Sequence, residues 1–540
     1  MKTEKGFYLR TESIKQDEIL GLCVTNSHDQ SILSALSSPE PCLLEGSRGT
    51  GKSFLMKVSE LRIESQSGLL SVFVSFNISS LLQTDDPLQF YHWMLAKSLK
   101  ALINKLIKKG HIVSQYSANL LSKNTDTDSE NIERGLAKIV KSFEESYRGK
   151  VDNVSISNLP DIEDVKEAIE DICQENNLDR IYFFFDEAAH VFRPEQQRQF
   201  FNLFKDLRSP YITCNAAMYP GVTYFGESFE PTHDCIYKKI ERNIRDADYI
   251  TYFRDIVFKQ APNSTKDAID QNSELFNTLA LSCGGNPRML LRIIQGIEKF
   301  NVRSIDEAIK GFYRQQIWTE HTELGEKYRG HQYLIDWGRD FLENHAIPAI
   351  VKYNESRRER NINDSTIYFW VHKDCPETIK ESLRLLSYTS VLRKVDSAVR
   401  ATRSELGSRY EVKYGCILAL SRNPSADSKK LYGSLNTKHF PEFGKNHEAY
   451  KEIKELNSTI DDKGEFKNAL GNMLKKSVDV LQVLTLWQKD KLKQAGIDTI
   501  EQLHQNTEDD LIEKIYNVGP SRARTIKNAA TAELLEYLSG

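Results

Sequence analysis

The sequence predicts an α/β fold, with a parallel-sheet core and a helical lid, then a small helix-and-strand module and a helical tail. Three observations carry this. The apolar run Cys42-Leu43-Leu44 leads into a glycine-rich octet, Gly46-Ser47-Arg48-Gly49-Thr50-Gly51-Lys52-Ser53, and then into the helix-like stretch Phe54-Leu55-Met56-Lys57. Ile181-Tyr182-Phe183-Phe184-Phe185 is almost wholly apolar, as a central strand buried on both faces must be, and it stops at Asp186-Glu187. In the second half the pattern changes to helix, strand, polar loop and strand, and finally to short helices parted by glycine turns.

The octet fits G-x-x-x-x-G-K-[ST] between a strand and a helix, the context that makes it a phosphate-binding loop. Its glycines let the backbone N–H groups, with those of the following helix, converge on one triphosphate. Lys52 is expected to neutralise the β and γ phosphates and Ser53 to hold Mg²⁺, with Gly46, Ser47, Arg48, Gly49, Thr50, Gly51 and Phe54 completing the cradle. The acid pair supplies the other half of such a site. Asp186 is expected on the metal and Glu187 on the attacking water, which points to ATP hydrolysis rather than binding alone.

The remaining elements follow in chain order. Gln30 to Leu36 reads as a helix and Leu69 to Phe76 as a second strand of the sheet. Residues 85 to 176 read as a mainly helical insertion, with apolar positions Leu95, Leu99, Leu102 and Leu106 on one face. Pro194 to Leu207 reads as a helix, and Tyr211 to Met218 as a strand beside the acid strand, stopped by Pro220-Gly221. Asn215 within it is either a γ-phosphate sensor or a satisfied structural amide. Arg242 and Arg245 precede a strand-like run, Tyr249 to Tyr252; Arg242 either reaches a neighbouring subunit's nucleotide or makes a surface ion pair. In Gly284-Gly285-Asn286-Pro287-Arg288 the glycines end one helix and Pro287 starts the next, so that Arg288 can fold back on the γ phosphate.

Together the phosphate loop, Phe185-Asp186-Glu187, the Asn215 strand and Gly285-Asn286-Pro287-Arg288 resemble the AAA+ ATPases of the origin-recognition and replication-initiator group, over roughly residues 20 to 315. Signal-transducing STAND ATPases share much of this pattern. The resemblance implies ATP and Mg²⁺ as cofactors, and a helical lid that closes on ATP and favours assembly with a neighbour, either a further copy or a partner protein of the same pathway. The long insertion and the segment Tyr219 to Tyr224 depart from the family's pattern.

Further along, Pro376 to Ser387 reads as a helix and Val391 to Val395 and Arg409 to Cys416 as strands, the order of a winged helix. Its cations Arg393, Lys394, Arg400 and Arg403 suit phosphate contacts with double-stranded DNA, although such modules also brace neighbours or dock proteins. Leu492 to Ile500 and Asp510 to Ile526 each read as helix, glycine turn, helix. The pair resembles tandem helix-hairpin-helix motifs, notably the C-terminal domain of the bacterial RNA polymerase α subunit. There Gly519, Ser521, Arg522 and Arg524 would face a DNA phosphate; the alternative is a small protein-docking bundle. The expected domains are 1–255 for the core with its insertion, 256–325 for the lid, 326–425 for the winged helix, 426–475 for a polar tether and 476–540 for the hairpin tail.

Composition limits the remaining choices. The 540 residues suit several domains, and a net charge of −4 means that any nucleic-acid surface must be a local basic patch. Eight cysteines are dispersed with no C-x-x-C pair, as expected of reduced thiols rather than a zinc site or disulfide framework. No apolar run approaches the roughly 20 residues of a membrane span and the N-terminal residues lack an apolar signal core, so the expected location is cytoplasmic and away from membranes. Two functions meet these limits. One is an ATP-hydrolysing, DNA-associated protein whose nucleotide state controls assembly and DNA grip, serving replication, plasmid maintenance or anti-phage defence; the other is a STAND-like switch that recruits a protein effector without DNA.

Overall fold

A computed structural model describes residues 6–76, 87–123, 129–146, 159–189, 194–221, 225, 229–327, 331–402, 404–451, 473–481 and 484–539. The chain divides into two compact units, Met1–Gln271 with Gly285–Gly296, and Asn272–Gly284 with Ile297–Gly540.

The first unit is built on five parallel strands, β1 (Cys42–Glu45), β2 (Leu69–Ser75), β3 (Arg180–Ala189), β4 (Ile212–Met218) and β5 (Ile236–Lys239), in the order β2-β3-β4-β1-β5. Parallel pairing needs crossovers, and the helices Lys52–Glu64, Ile162–Glu175 and Pro194–Asp206 provide them. The expected insertion is present: Pro87–Lys109, Gln115–Ser122 and Ser129–Ser146 stand between β2 and the helix leading into β3. β4 lies between the loop strand β1 and the acid strand β3. The buried aromatic run of β3 fixes the acid end, because Phe185 stacks on Phe76 at 5.6 Å and meets Phe200 edge-on at 5.9 Å. Each such pair contributes about 0.5–1.5 kcal/mol beyond its buried area.

Two local expectations fail here and in the second unit. Tyr249 to Tyr252 begins the helix Tyr249–Gln260 instead of a strand. Its buried residues Tyr249, Tyr252, Phe253 and Val257 follow a helical spacing that outweighs the β propensity of a four-residue window. Tyr414 to Cys416 likewise opens the helix Tyr414–Leu420 rather than continuing the preceding strand.

The second unit carries a four-stranded sheet of β6 (Tyr368–His372), β7 (Leu392–Arg400), β8 (Leu406–Val412) and β9 (Glu442–Phe443), ordered β7-β8-β6-β9. Helix Glu377–Tyr388 precedes the antiparallel β7–β8 hairpin, in the order expected from sequence; β6, invariably buried, was missed. The tether expected over 426–475 does not hold for its described part, residues 426–451 and 473–475. Helix Pro424–Gly433 is partly buried and β9 pairs in parallel with β6, so polar composition there marks a one-sided surface and not a loose chain. The tail helices Leu486–Gln494, Ile500–Gln505 and Glu508–Lys514 each start at a threonine capping box, at Thr485, Thr499 and Thr507. With Pro520–Ser539 they enclose their own core around Leu492, Ile500, Leu511 and Ile526. No described helix is long and apolar enough to cross a membrane.

Candidate nucleotide site

The glycine-rich loop leaves β1 where the Gly46 N–H donates to Met218 O of the neighbouring strand at 3.1 Å. Gly46 has no room for a side chain, since an added Cβ would lie 2.2 Å from Ile240. Gly49, at φ 88°, turns the loop in the left-handed region that a side chain resists. Thr50 Oγ1 donates to Ser47 O at 2.8 Å and pins the turn, and helix Lys52–Glu64 opens directly behind it with its first N–H groups toward the loop.

Lys52 is buried, and its Nζ donates to Gly46 O at 2.6 Å and Ser47 O at 3.1 Å while lying 4.3 Å from the Tyr219 ring centroid. Burial lowers its pKa to about 8, with Asp186 and Glu241 working the other way. Glu241 also accepts the Ser47 N–H at 3.2 Å, so a carboxylate already satisfies one amide of the cradle. Backbone N–H groups of such a loop suit an anionic oxygen.

Opposite, Asp186 is buried, paired in register with Ser75 of β2, and accepts the Glu187 N–H on Oδ1 at 3.0 Å. The β3–β4 register breaks after Phe185 and resumes at Ala189 opposite Met218, and Glu187 stands in the break at φ 53°. A bulge re-aims the side chains it carries, and left-handed backbone on a non-glycine residue costs about 1–3 kcal/mol. Burial, and then the adjacent Asp186, raise the Glu187 carboxyl above its ordinary range, as suits a proton acceptor. Ser53 and Asp186 line one cavity of about 280 Å³, together with Thr11, Glu12 and Gln16 from the N-terminal segment and Lys57.

Arg288 comes to the same place. Its N–H points to Gly49 O at 3.4 Å, Asn286 Nδ2 donates to Arg48 O at 2.8 Å, and Arg288 Nε donates to Leu9 O at 2.8 Å. Burial, and then Arg48, lower the Arg288 pKa, which describes cations crowded at one spot. The segment Gly285–Gly296 therefore belongs to the loop's unit, as do residues 256–271 of the expected lid, whereas residues 272–284 and 297–325 fall in the second unit. Five parallel strands in this order, the loop after β1 and the acids near the carboxyl end of β3 decide the fold. The core is an α/β fold, a five-stranded parallel sheet with a glycine-rich loop at the carboxyl end of β1.

Two expected site residues are placed elsewhere. Asn215 pairs with Cys42 at the start of β1, three positions short of the loop end, and its Nδ2 donates to Leu36 O at 2.9 Å. Fully buried in the middle of β4, it spends its amide N–H on that carbonyl, while its Oδ1 is buried with no hydrogen-bond partner among the described residues. Arg242 is buried, ion-paired with Asp29 and stacked over Tyr252 at 4.4 Å, so it cannot extend to a neighbouring subunit. Sequence reasoning missed Tyr219 and Glu241. Tyr219 follows directly on the carboxyl end of β4, level with the loop, and counting from the strand's end would have found it.

The expected DNA residues divide similarly. Arg393 faces Glu411 across β7–β8 at 2.5 Å, whereas Lys394 and Arg400 on the same strand are exposed. Arg403 lies outside the described residues. Gly519 has open space where a Cβ would stand, and Ser521 and Arg522 are exposed. Arg524 is instead buried, holding Glu508 at 3.0 Å, Asn446 Oδ1 at 3.1 Å and the carbonyls of Asp374 and Lys445 at 3.1 and 2.8 Å. A guanidinium with that many acceptors is a structural tie, which corrects its assignment to DNA.

The chain matches no protein-family profile and no curated protein. Among solved structures it is similar to the Aeropyrum pernix ORC1 protein in complex with DNA, at 11% identity and a TM-score of 0.31 over 77% of this chain and 98% of that one. It is also similar to Cdc6p from Pyrobaculum aerophilum, at 10% identity and a TM-score of 0.28 over 78% and 98% of the two chains.

Proposed function

We propose that this chain is an ATP-hydrolysing, DNA-associated protein of the origin-recognition type, in which nucleotide state controls assembly and grip on DNA. The observation that carries it is convergence. The loop Gly46–Ser53, the acid pair Asp186-Glu187 and Arg288 are far apart in sequence, yet Asn286 and Arg288 bond to the backbone of Arg48 and Gly49, and Ser53 and Asp186 line one cavity.

The residues fit Mg²⁺ and ATP, because the cradle already binds a carboxylate at Ser47 N–H and has a hydroxyl and a carboxylate on one cavity wall. Ser53 and Asp186 would hold the ion, which when bound neutralises charge on the phosphate oxygens. Lys52 would exchange its two loop carbonyls for phosphate oxygens, and Glu241 would yield the Ser47 amide. Glu187, re-aimed by the bulge and raised in pKa, would take the proton of the attacking water. Arg288 would add positive charge beside Gly49 and couple nucleotide to the helix Pro287–Gln295. Lys394 and Arg400 on the β7–β8 hairpin, and Gly519, Ser521 and Arg522 at the start of the last helix, would meet duplex phosphates.

Steady-state ATP hydrolysis tests this, with and without duplex DNA, on the full chain and on one ended after Lys475. Stimulation by DNA that disappears on truncation is expected. Hydrolysis indifferent to DNA in both would overturn DNA coupling in favour of the protein-triggered, STAND-like switch.

A further inference from the structure

The second unit holds a cavity of about 270 Å³, apart from the nucleotide site and the cations assigned to DNA. Two wide-turn π-helical segments, Phe312–Ile317 and Phe341–Ala346, both supply its walls: Tyr313 and Arg314 from the first, Glu343 from the second. π-Helical turns are rare and concentrate at functional sites. The helix Tyr414–Leu420 closes the third side, pressed so near that any side chain on Gly415 would strike the Tyr313 ring at 2.1 Å. Interiors are packed with few voids larger than a water, so close approach on one side and open volume beside it mark a shaped cavity.

The floor is apolar and the mouth cationic. Trp318, Cys416 and Ala419 are buried, while Leu420 is 47% exposed at the lip. Arg339 lies over Trp318, its guanidinium carbon 5.1 Å from the ring centroid, and spends only Nε, on Glu343 at 3.2 Å. No described residue accepts from its two terminal nitrogens. Arg314 spends one donor, on Ala419 O at 3.4 Å. Two guanidinium groups against one carboxylate leave the mouth with net positive charge, and the unspent N–H groups form the planar fork that matches a carboxylate.

We propose that this cavity binds a small amphipathic anion, an aromatic body seated on Trp318, Cys416 and Ala419 with a carboxylate head held by Arg339 and Arg314. The site is independent of the nucleotide reading. Isothermal titration of the full chain with 2-naphthoate, and with the neutral 2-naphthamide as its counterpart, tests it. Saturable one-to-one binding of naphthoate is expected, at least about tenfold tighter than naphthamide. Arg339→Gln should remove that tenfold preference, and Ala419→Trp should abolish binding of both by filling the floor. Because Ala419 is buried, Leu420→Trp at the exposed lip serves as a second blocking variant, with thermal melts showing that each variant folds. No heat from the native chain at millimolar naphthoate, equal affinity for the neutral compound, or undiminished binding in a folded blocking variant would each overturn the proposal.

Discussion

The two units treat their cations differently. In the first, Lys52 and Arg288, widely separated in sequence, both end at one glycine-rich loop, where Glu241 accepts from the Ser47 amide. In the second, cations that look equivalent in sequence are sorted by burial: Arg393 and Arg524 are consumed by Glu411 and Glu508, while Arg400 and Arg522 reach solvent. The difference teaches that a site specified by backbone geometry declares its residues through spacing. A site specified by charge does not, because an arginine in a structural tie and one facing a phosphate are the same letter.

The largest expected effects test the first half of that contrast. Lys52→Ala removes a buried charge-assisted donor worth about 3 kcal/mol or more, so nucleotide affinity should fall about 100-fold or beyond in a fluorescent-nucleotide titration. Glu187→Gln should still bind ATP but turn over about 10²- to 10⁴-fold more slowly. Unchanged turnover in either would break the site assignment and, with it, the claim that spacing identifies function.

The paired arginines test the second half. Arg524→Ala leaves Glu508 with its buried partner gone, which should cost about 3 kcal/mol of stability in chemical denaturation of the tail, whereas Arg522→Ala should leave the melt unchanged and weaken DNA binding. On the hairpin, Arg400→Ala should reduce the slope of log affinity against log salt by about one for duplex DNA of any sequence. Arg393→Ala should leave that slope alone and lower stability instead. Equal slopes for the two variants would mean that burial does not sort these cations after all.

Much of the core was legible in advance for a physical reason. Strands buried on both faces must be apolar, loops that wrap phosphate must be glycine-rich, and both constraints are written in consecutive letters, as at Phe183 to Glu187 and Gly46 to Ser53. Asn215 was left open because its role depends on how far along β4 it stands, and only the register opposite Cys42 shows that it lies three positions short of the loop end. Arg242 was misread because Asp29, its partner, lies over two hundred residues away. Residues 426–451 were misread because polar composition reports the solvent face, while the pairing of β9 with β6 is a backbone event that no side chain signals. Tyr219 and Glu241 needed only the strand ends to be counted correctly.

The smallest expected effect separates two lysines that burial has treated alike. Lys52 and Lys527 are both brought down to about 8 from 10.5, Lys527 by burial while its Nζ donates to Asn506 O at 2.7 Å. Each binds fewer protons folded than unfolded between those values. Stability from both should therefore rise as pH climbs from about 8 toward 10.5, since the unfolded chain holds the extra proton. Nucleotide distinguishes them. A triphosphate beside Lys52 favours the ammonium form, so binding near pH 8 should take up about half a proton, read as a binding enthalpy that depends on the buffer's ionisation heat. Lys527→Met should leave this uptake intact and Lys52→Arg, which stays charged throughout, should remove it. Uptake that survives Lys52→Arg would move the titrating group away from the loop.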